Sequence, residues 1–306
     1  MIQKGLASVL VPVYNGERYL VEFLDSIKNQ TYDRIQLIIR DDCSKDNSYK
    51  ICNDWMRDNK KFFYDSMVLK AQKNGGLSQN VSILSTYAKG EFIFLADQDD
   101  VWKNNKIAYQ VQYMEQHPNC IISLSDRSIT DDKLNIKEIS NYAYAGYKIK
   151  SMDFKEVIKH RAAYAANAMC IRNGEYNIFD LPNNVVSHDT FITVMASCYG
   201  SIDFLYEPLL LYRIHKNNIS GNYISYLSSN FFECFIRYLK VSRRGIQSYK
   251  WDSLVMEQEL KNRFNIELRE YNNVFFRKYE KSIVKHAWLR TMNAYKSGNI
   301  GIWHNK

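Results

Sequence analysis

No run in this 306-residue chain approaches 18 consecutive apolar residues, and the N-terminus lacks a charged-then-apolar leader pattern. Neither a membrane-spanning helix nor a secretory signal is expected, so the sequence predicts a cytoplasmic protein, at most peripheral on the inner face of the cell membrane. The six cysteines, Cys43, Cys52, Cys120, Cys170, Cys198 and Cys234, are scattered without a close pair. That spacing argues against disulfides and a zinc site and predicts buried, reduced thiols. There is no Gly-x-x-x-x-Gly-Lys-Ser/Thr loop to hold ATP or GTP, and no Gly-x-Gly-x-x-Gly after the first apolar run to hold a nicotinamide or flavin.

With 46% hydrophobic residues the chain can bury a full core and is expected to form a large domain plus a smaller one. The net charge of +8 is uneven: residues 1–221 hold 26 Lys and Arg against 26 Asp and Glu, whereas residues 222–306 hold 15 against 7. The latter also carry 16 aromatics, so a boundary is placed near Gly221. Before it, apolar runs alternate with amphipathic stretches. Leu6 to Val11 reads as a strand ended by Pro12, and Glu17 to Asn29 puts Leu20, Phe23, Leu24 and Ile27 on one helical face. Ile35 to Ile39 and Met67 to Leu69 are further strands, with helices from a cap at Ser44 to Asn47 through Trp55, and along Leu77, Val81 and Leu84. The alternation predicts an α/β fold, a mostly parallel sheet flanked by helices.

Phe92 to Ala96 is an apolar strand that ends in Asp97-Gln98-Asp99-Asp100. Three carboxylates within four residues repel one another, and either a divalent cation or a bound ligand would compensate them. The same residues would also serve as a solvated turn capping a helix from near Lys103. Tyr14-Asn15, Asp41-Asp42 and Asn74-Gly75-Gly76 likewise follow predicted strands, at the carboxyl ends where such sheets bind ligands. A diphosphate bound there, without a phosphate loop, would need Mg2+ or Mn2+ to neutralise it.

Val11-Pro12-Val13-Tyr14-Asn15-Gly16-Glu17, Asp41-Asp42-x-Ser44-x-Asp46, Asn74-Gly75-Gly76 with Asn80, Gly90-Glu91-Phe92-Ile93 and Asp97-x-Asp99-Asp100 together resemble the inverting family 2 glycosyltransferases of the GT-A fold. His188-Asp189 and Tyr212-Arg213-x-His215-x-x-Asn218-x-Ser220-Gly221 extend the likeness to about residue 221, and look most like the rhamnosyltransferase-like branch of bacterial polysaccharide biosynthesis. The resemblance implies a GT-A catalytic domain over 1–221, with a nucleotide part to about 116 and an acceptor part from about 117, followed by a helical region over 222–306. It implies transfer of a sugar from dTDP-rhamnose or a UDP-hexose to a growing glycan, free or lipid-linked, with Mn2+ or Mg2+.

The resemblance also implies roles. Pro12, Tyr14, Glu17 and Asp41 would hold the pyrimidine, and Asn15, Asn74, Gly75, Asn80, Asp97, Gln98 and Arg213 the rest of the nucleotide sugar. Asp99 and His215 would ligate the metal, Asn167 and His188 would lie on the acceptor side, and Asp189 would be the general base; Asp100 would only cap a helix. Gln79 stands where many relatives carry Arg, and Ala165-Ala166-Asn167 where they often carry a Gly-containing turn, which puts acceptor identity in question.

Beyond Gly221, Phe231, Cys234, Phe235, Tyr238 and Leu239 recur at helical spacing beside Arg237, Lys240, Arg243 and Arg244. Such a helix suits an anionic membrane surface, and equally suits packing on the catalytic domain or on another copy in a homo-oligomer. Two other classes were weighed. A sugar-phosphate nucleotidyltransferase would need a Gly-rich basic loop after the first strand, where Pro12 to Arg18 is not one. A nucleic-acid binder would use the basic tail, but the acidic cluster would repel a polyanion, so no nucleic-acid partner is expected.

Overall fold

The computed structural model describes residues 1–145, 151–159, 165–182, 185, 187–215, 218 and 254–266. In chain order they form β1 (Gln3–Val13), α1 (Leu20–Lys28), β2 (Ile35–Asp41), α2 (Ser48–Asn59), β3 (Asp65–Lys70), α3 (Leu77–Ser85), β4 (Gly90–Leu95), β5 (Val101–Trp102) and α4 (Lys106–Gln116). There follow β6 (Cys120–Thr130), β7 (Ile136–Glu138), α5 (Asn141–Ala145), β8 (Ser151–Met152), α6 (Phe154–Lys159), β9 (Met169–Arg172), α7 (His188–Ala196) and β10 (Ser201–Arg213). The chain divides into two compact units, Met1–Arg213 and Ile214–Lys306.

The sheet runs β3-β2-β1-β4-β9-β6-β10-β5, with β7 on β6 and β8 on β10. The first four strands are mutually parallel, as the alternation predicts. Because β1, β2 and β3 step outward in one direction, right-handed crossovers put α1 and α2 on one face; the return from β3 to β4 puts α3 on the other. β9 then runs antiparallel between β4 and β6, while β10 pairs parallel with β6. The predicted face of α1 is the buried one: Leu20, Phe23, Leu24 and Ile27 are fully enclosed. Removing each such side chain from water stabilises the fold by about 1.5–3 kcal/mol.

Three local expectations are corrected. Pro12 does not end β1, which continues to Val13. Leu10 O accepts from Ala96 N–H and Val13 O from Asp42 N–H, so even-numbered residues face β4 and odd-numbered ones β2. Pairing with β4 stops at Leu10, so the N–H that Pro12 lacks has no partner strand to miss. The helix expected near Lys103 begins at Lys106, and α2 begins at Ser48 and extends beyond Trp55. All five described cysteines are free, with Cys52, Cys120 and Cys170 buried; Cys234 lies outside the described residues.

Lys106 is fully buried at the start of α4. Its ammonium donates to Gln110 Oε1 at 2.5 Å and lies 4.9 Å from the Trp102 ring centroid and 5.5 Å from that of Phe94. Burial pulls its pKa from 10.5 down to about 7, with Cys170 and Asp100 opposing. The folded state therefore binds fewer protons than the unfolded chain between these values. The penalty is complete below pH 7 and is relieved as pH rises towards 10.5. Urea unfolding should show stability rising from pH 7 to 9, by at most about 1.4 kcal/mol per pH unit from this group. Lys106→Met should flatten that rise; an unchanged slope would remove Lys106 as its source.

Among the described residues no helix is long and apolar enough to cross a membrane. In the second unit, residues 254–264 are helical, with an Arg263 to Glu259 ion pair at 2.8 Å. The basic aromatic stripe from Phe231 to Arg244 lies outside the described residues.

Candidate functional site

The turn after β1 is clasped by the loop after β2. Asn15, Gly16 and Glu17 donate their backbone N–H groups to Ser44 Oγ, Ser48 Oγ and Asp46 Oδ2 at 2.9, 2.8 and 3.1 Å. Asn15 Oδ1 and Glu17 Oε2 return the favour by accepting from the Lys45 and Asn47 N–H groups at 2.8 and 2.9 Å. Ser44 and Asp46 thus serve the β1 turn as much as the helix they were expected to cap. Gln98 closes the third side: its amide accepts from Tyr14 N–H at 3.0 Å and donates to Tyr14 O at 2.8 Å. It lies so close to Gly16 that a Cβ there would meet it at 2.3 Å. Glu17, Asn15 and Gln98 are therefore engaged in shaping the turn, while the ring of Tyr14 remains exposed.

Asp41 ends β2 completely buried. Its Oδ2 accepts from Ser44 N–H at 3.0 Å, but Oδ1 is buried without a hydrogen-bond partner. Such an orphan acceptor is costly unless a ligand supplies a donor. Asp42, next to it, was not among the expected site residues and anchors the Gly-rich turn, accepting from Gly75 N–H at 3.1 Å and Gly76 N–H at 2.8 Å. Asn74 Oδ1 also accepts from Gly76 N–H, at 3.1 Å, and Gly76 has φ 82°, which favours glycine. The Asp41-Asp42 pair was visible in sequence, but the division of labour was not. Asn80 is buried, accepts from Arg40 Nη1 at 2.9 Å and donates to Arg40 O at 3.1 Å, and so secures β2.

Beyond β4 the three carboxylates diverge. Asp100 is wholly buried, accepting from Asn167 Nδ2 at 2.6 Å and Arg213 N–H at 3.1 Å. It caps no helix; it ties the loop to β10 and to the segment before β9. Burial, then the charges of Asp99 and Asp97, raise its pKa well above the carboxylate range. Asp97 is pushed up to about 7, first by burial and then by Asp99; Asp189 adds to the rise, while Arg127 and a hydrogen bond from Asn167 oppose it. Asn167 is itself buried and also accepts from Arg127 Nη1 at 3.4 Å, so it organises the carboxylates and is withdrawn from the acceptor surface. Arg127 is the cation that sequence reasoning missed; the signal was a charged pair, Asp126-Arg127, within a strand otherwise free of charge.

Arg213 ends β10. Its guanidinium is buried, donating from Nε to Asp99 O and from Nη1 to Asp132 O, both at 2.8 Å, and from Nη2 to Glu22 Oε2 at 2.5 Å. It lies 4.6 Å from the Tyr19 ring centroid. The fork is engaged by the protein and holds the Asp99 backbone in place. His215 falls in the second unit, where its N–H donates to Asn218 Oδ1 at 2.5 Å.

Asp189 sits in the first turn of α7. Its Oδ1 accepts from Ser187 Oγ at 2.5 Å and Thr190 N–H at 2.7 Å, so both contacts fall on one oxygen. Although Asp189 is distant in sequence, its charge adds to the rise at Asp97. His188 is buried, and burial lowers its pKa against the pull of Asp189, which keeps the imidazole neutral at pH 7.

Among the described residues no group of three or more His, Cys, Asp or Glu side chains forms a metal cage. The donor set instead fits Mg2+ or Mn2+ that takes one or two carboxylates and completes its shell from phosphates and water. Burial raises Asp97 first, and the repulsion from Asp99 and Asp189 that adds to it is what a bound cation would relieve.

The family described as Glycosyl transferase family 2 matches residues 8–178. Glycosyltransferase GlyG of Streptococcus pneumoniae serotype 4 is 34% identical over 165 residues, which cover 49% of this chain and 54% of GlyG. The minor teichoic acid biosynthesis protein GgaB of Bacillus subtilis is 33% identical over 234 residues, 74% of this chain and 25% of GgaB. The chain thus spans about half of GlyG and a quarter of GgaB. Among solved structures, S. aureus TarS 1–349 in complex with UDP-GlcNAc superposes with a TM-score of 0.55 at 16% identity, covering 96% of this chain and 83% of that one. The mannosyltransferase PcManGT from Pyrobaculum calidifontis, in complex with GDP-Man and Mn2+, gives 0.54 at 12% identity, covering 98% and 88%. At these identities the structural likeness shows a shared fold.

Proposed function

The chain belongs to glycosyl transferase family 2, and from that premise we propose that it moves a sugar from a nucleoside-diphosphate sugar to a hydroxyl of a growing cell-surface glycan, with inversion. The observation that supports the reading is the gathering of Asp97, Asp99 and Asp100 at the carboxyl end of β4, with a buried, orphaned acceptor on Asp41 at the end of β2. Asp189, whose charge adds to the rise at Asp97, is the group proposed to receive the proton.

The orphan Oδ1 of Asp41 accepts the imide N–H of uracil or thymine, and the exposed ring of Tyr14, beside Pro12, offers a stacking face. Gly75 and Asn74, fixed by the Asp42 anchor, border the nucleotide, and Asp97 faces its ribose. Asp99 would hold Mg2+ or Mn2+. When bound, the metal supplies Lewis acidity to the departing diphosphate. Asp189 takes the acceptor proton on Oδ2, since Oδ1 is occupied, as the acceptor oxygen attacks the anomeric carbon from the side opposite the diphosphate. Neutral His188 packs behind it. Arg213, Asn167, Asn80 and Gln98 keep these groups in position.

The donor is dTDP-rhamnose or a UDP-hexose, and the acceptor a polysaccharide, free or lipid-linked. The basic aromatic segment after Gly221 is the part suited to an anionic membrane surface or to a second copy of the chain. A donor screen tests the function: release of UDP or dTDP from each sugar nucleotide, with Mn2+, Mg2+ or EDTA. Metal-dependent release from one donor is expected, and no release from any would overturn the reading.

A further inference from the structure

β3 forms one end of the strand order, and an open groove of about 630 Å3 lies between it and α3. Of the nine residues lining the groove, Arg40, Lys70 and Lys73 are cationic and none is acidic. Residues 1–221 balance 26 positive against 26 negative side chains, so this local excess is a departure from a neutral domain. Leu69, Ile83 and Tyr87 give the groove an apolar and aromatic wall. Lys70 and Lys73 are exposed, with the Lys70 ammonium 4.5 Å from the Tyr49 ring centroid. The Arg40 side chain is largely buried: its Nη1 donates to Asn80 Oδ1 at 2.9 Å and lies 3.4 Å from Asp42 Oδ1, and Asp42 also accepts from the Gly75 and Gly76 N–H groups.

The groove is also placed along a path from the proposed base. Ser78 Oγ, in the first turn of α3, donates to Val185 O at 3.2 Å, four residues before Asp189. Gln79 and Ile83 of the same helix, and Tyr87 in the turn after it, line the groove. Ser78 thus ties the helix that lines the groove to the segment leading into α7, which carries Asp189.

We propose that this groove binds a phosphate-bearing segment of the acceptor, on the same molecule as the attacking hydroxyl; the proposal rests on the reading of the chain as a glycosyltransferase. Two exposed ammonium groups beside a guanidinium suit the several oxygens of a phosphate ester. The apolar wall suits the carbon face of a sugar or polyol beside it. Phosphodiesters within a polymer and the diphosphate of a lipid-carried saccharide share this chemistry.

The probe is inorganic tripolyphosphate, titrated into the full chain in the presence of saturating UDP and Mn2+. Lys70→Ala with Lys73→Ala should weaken binding at least ten-fold. Lys60→Ala with Lys61→Ala, an exposed pair outside the groove, should leave it unchanged. Equal loss in both pairs, no loss in either, or the absence of binding once UDP is present would overturn the proposal. Transfer assays separate the two sources: a ten-fold rise in KM for a phosphodiester-linked polyol acceptor identifies the polymer, and the same rise for an isoprenoid-diphosphate saccharide identifies the carrier. An unchanged KM for both overturns the proposal. A wild-type chain that binds the probe but releases no nucleotide from any donor would instead defeat the glycosyltransferase reading.

Discussion

Asp189→Asn should lower transfer to the acceptor by roughly 10²–10⁴-fold, the usual contribution of a positioned general base, while leaving donor affinity unchanged. The side chains have the same shape, and an amide oxygen can still accept from Ser187 Oγ and Thr190 N–H, the two contacts that orient the native carboxylate. What is lost is the ability of the second position to take a proton. Because Asp189 contributes to the raised pKa of Asp97, the variant should also lower the Asp97 pKa, a change that carboxyl NMR can follow. Transfer at the native rate would assign the base elsewhere.

Asp99→Ala should reduce metal-dependent donor turnover by on the order of 10²-fold or more, comparable with removal of one preorganised electrostatic group. The backbone of Asp99 is held through its carbonyl by Arg213 Nε, and the next residue, Asp100, by Asn167 and Arg213 N–H. The loop should therefore keep its path when the side chain goes, so the loss reports on the carboxylate. A manganese titration of donor turnover checks this. Saturation at the native concentration, to the native rate, would rule out Asp99 as a ligand.

The strand and helix alternation of the first hundred residues was legible because apolar periodicity encodes it directly; the enclosed face of α1 is an example. The site was legible as a set of strand-end polar clusters, but individual roles were not. A polar side chain after a strand can meet a ligand or tie two loops together, and spacing does not separate these. Glu17 and Gln98 look like ligand contacts in sequence, yet Glu17 Oε2 is held by the Asn47 N–H and the Gln98 amide by the backbone of Tyr14. Arg213 looked like a phosphate fork because nothing in a linear sequence places Glu22, Asp132 and the Asp99 carbonyl around it. Pro12 suggested a strand end because the rule for proline is local, whereas its tolerance depends on where β4 stops.

Calorimetric titration of UDP into the full chain, with Mn2+ and then with EDTA, tests most directly whether the carboxyl ends of β1, β2 and β4 form a nucleoside-diphosphate site. The expected result is one saturable site that weakens at least ten-fold in EDTA and in Asp99→Ala, and that weakens similarly in Asp41→Asn through loss of an acceptor for the base. UDP binding with the same affinity in all four conditions, or no binding to the wild-type chain with Mn2+, would contradict it.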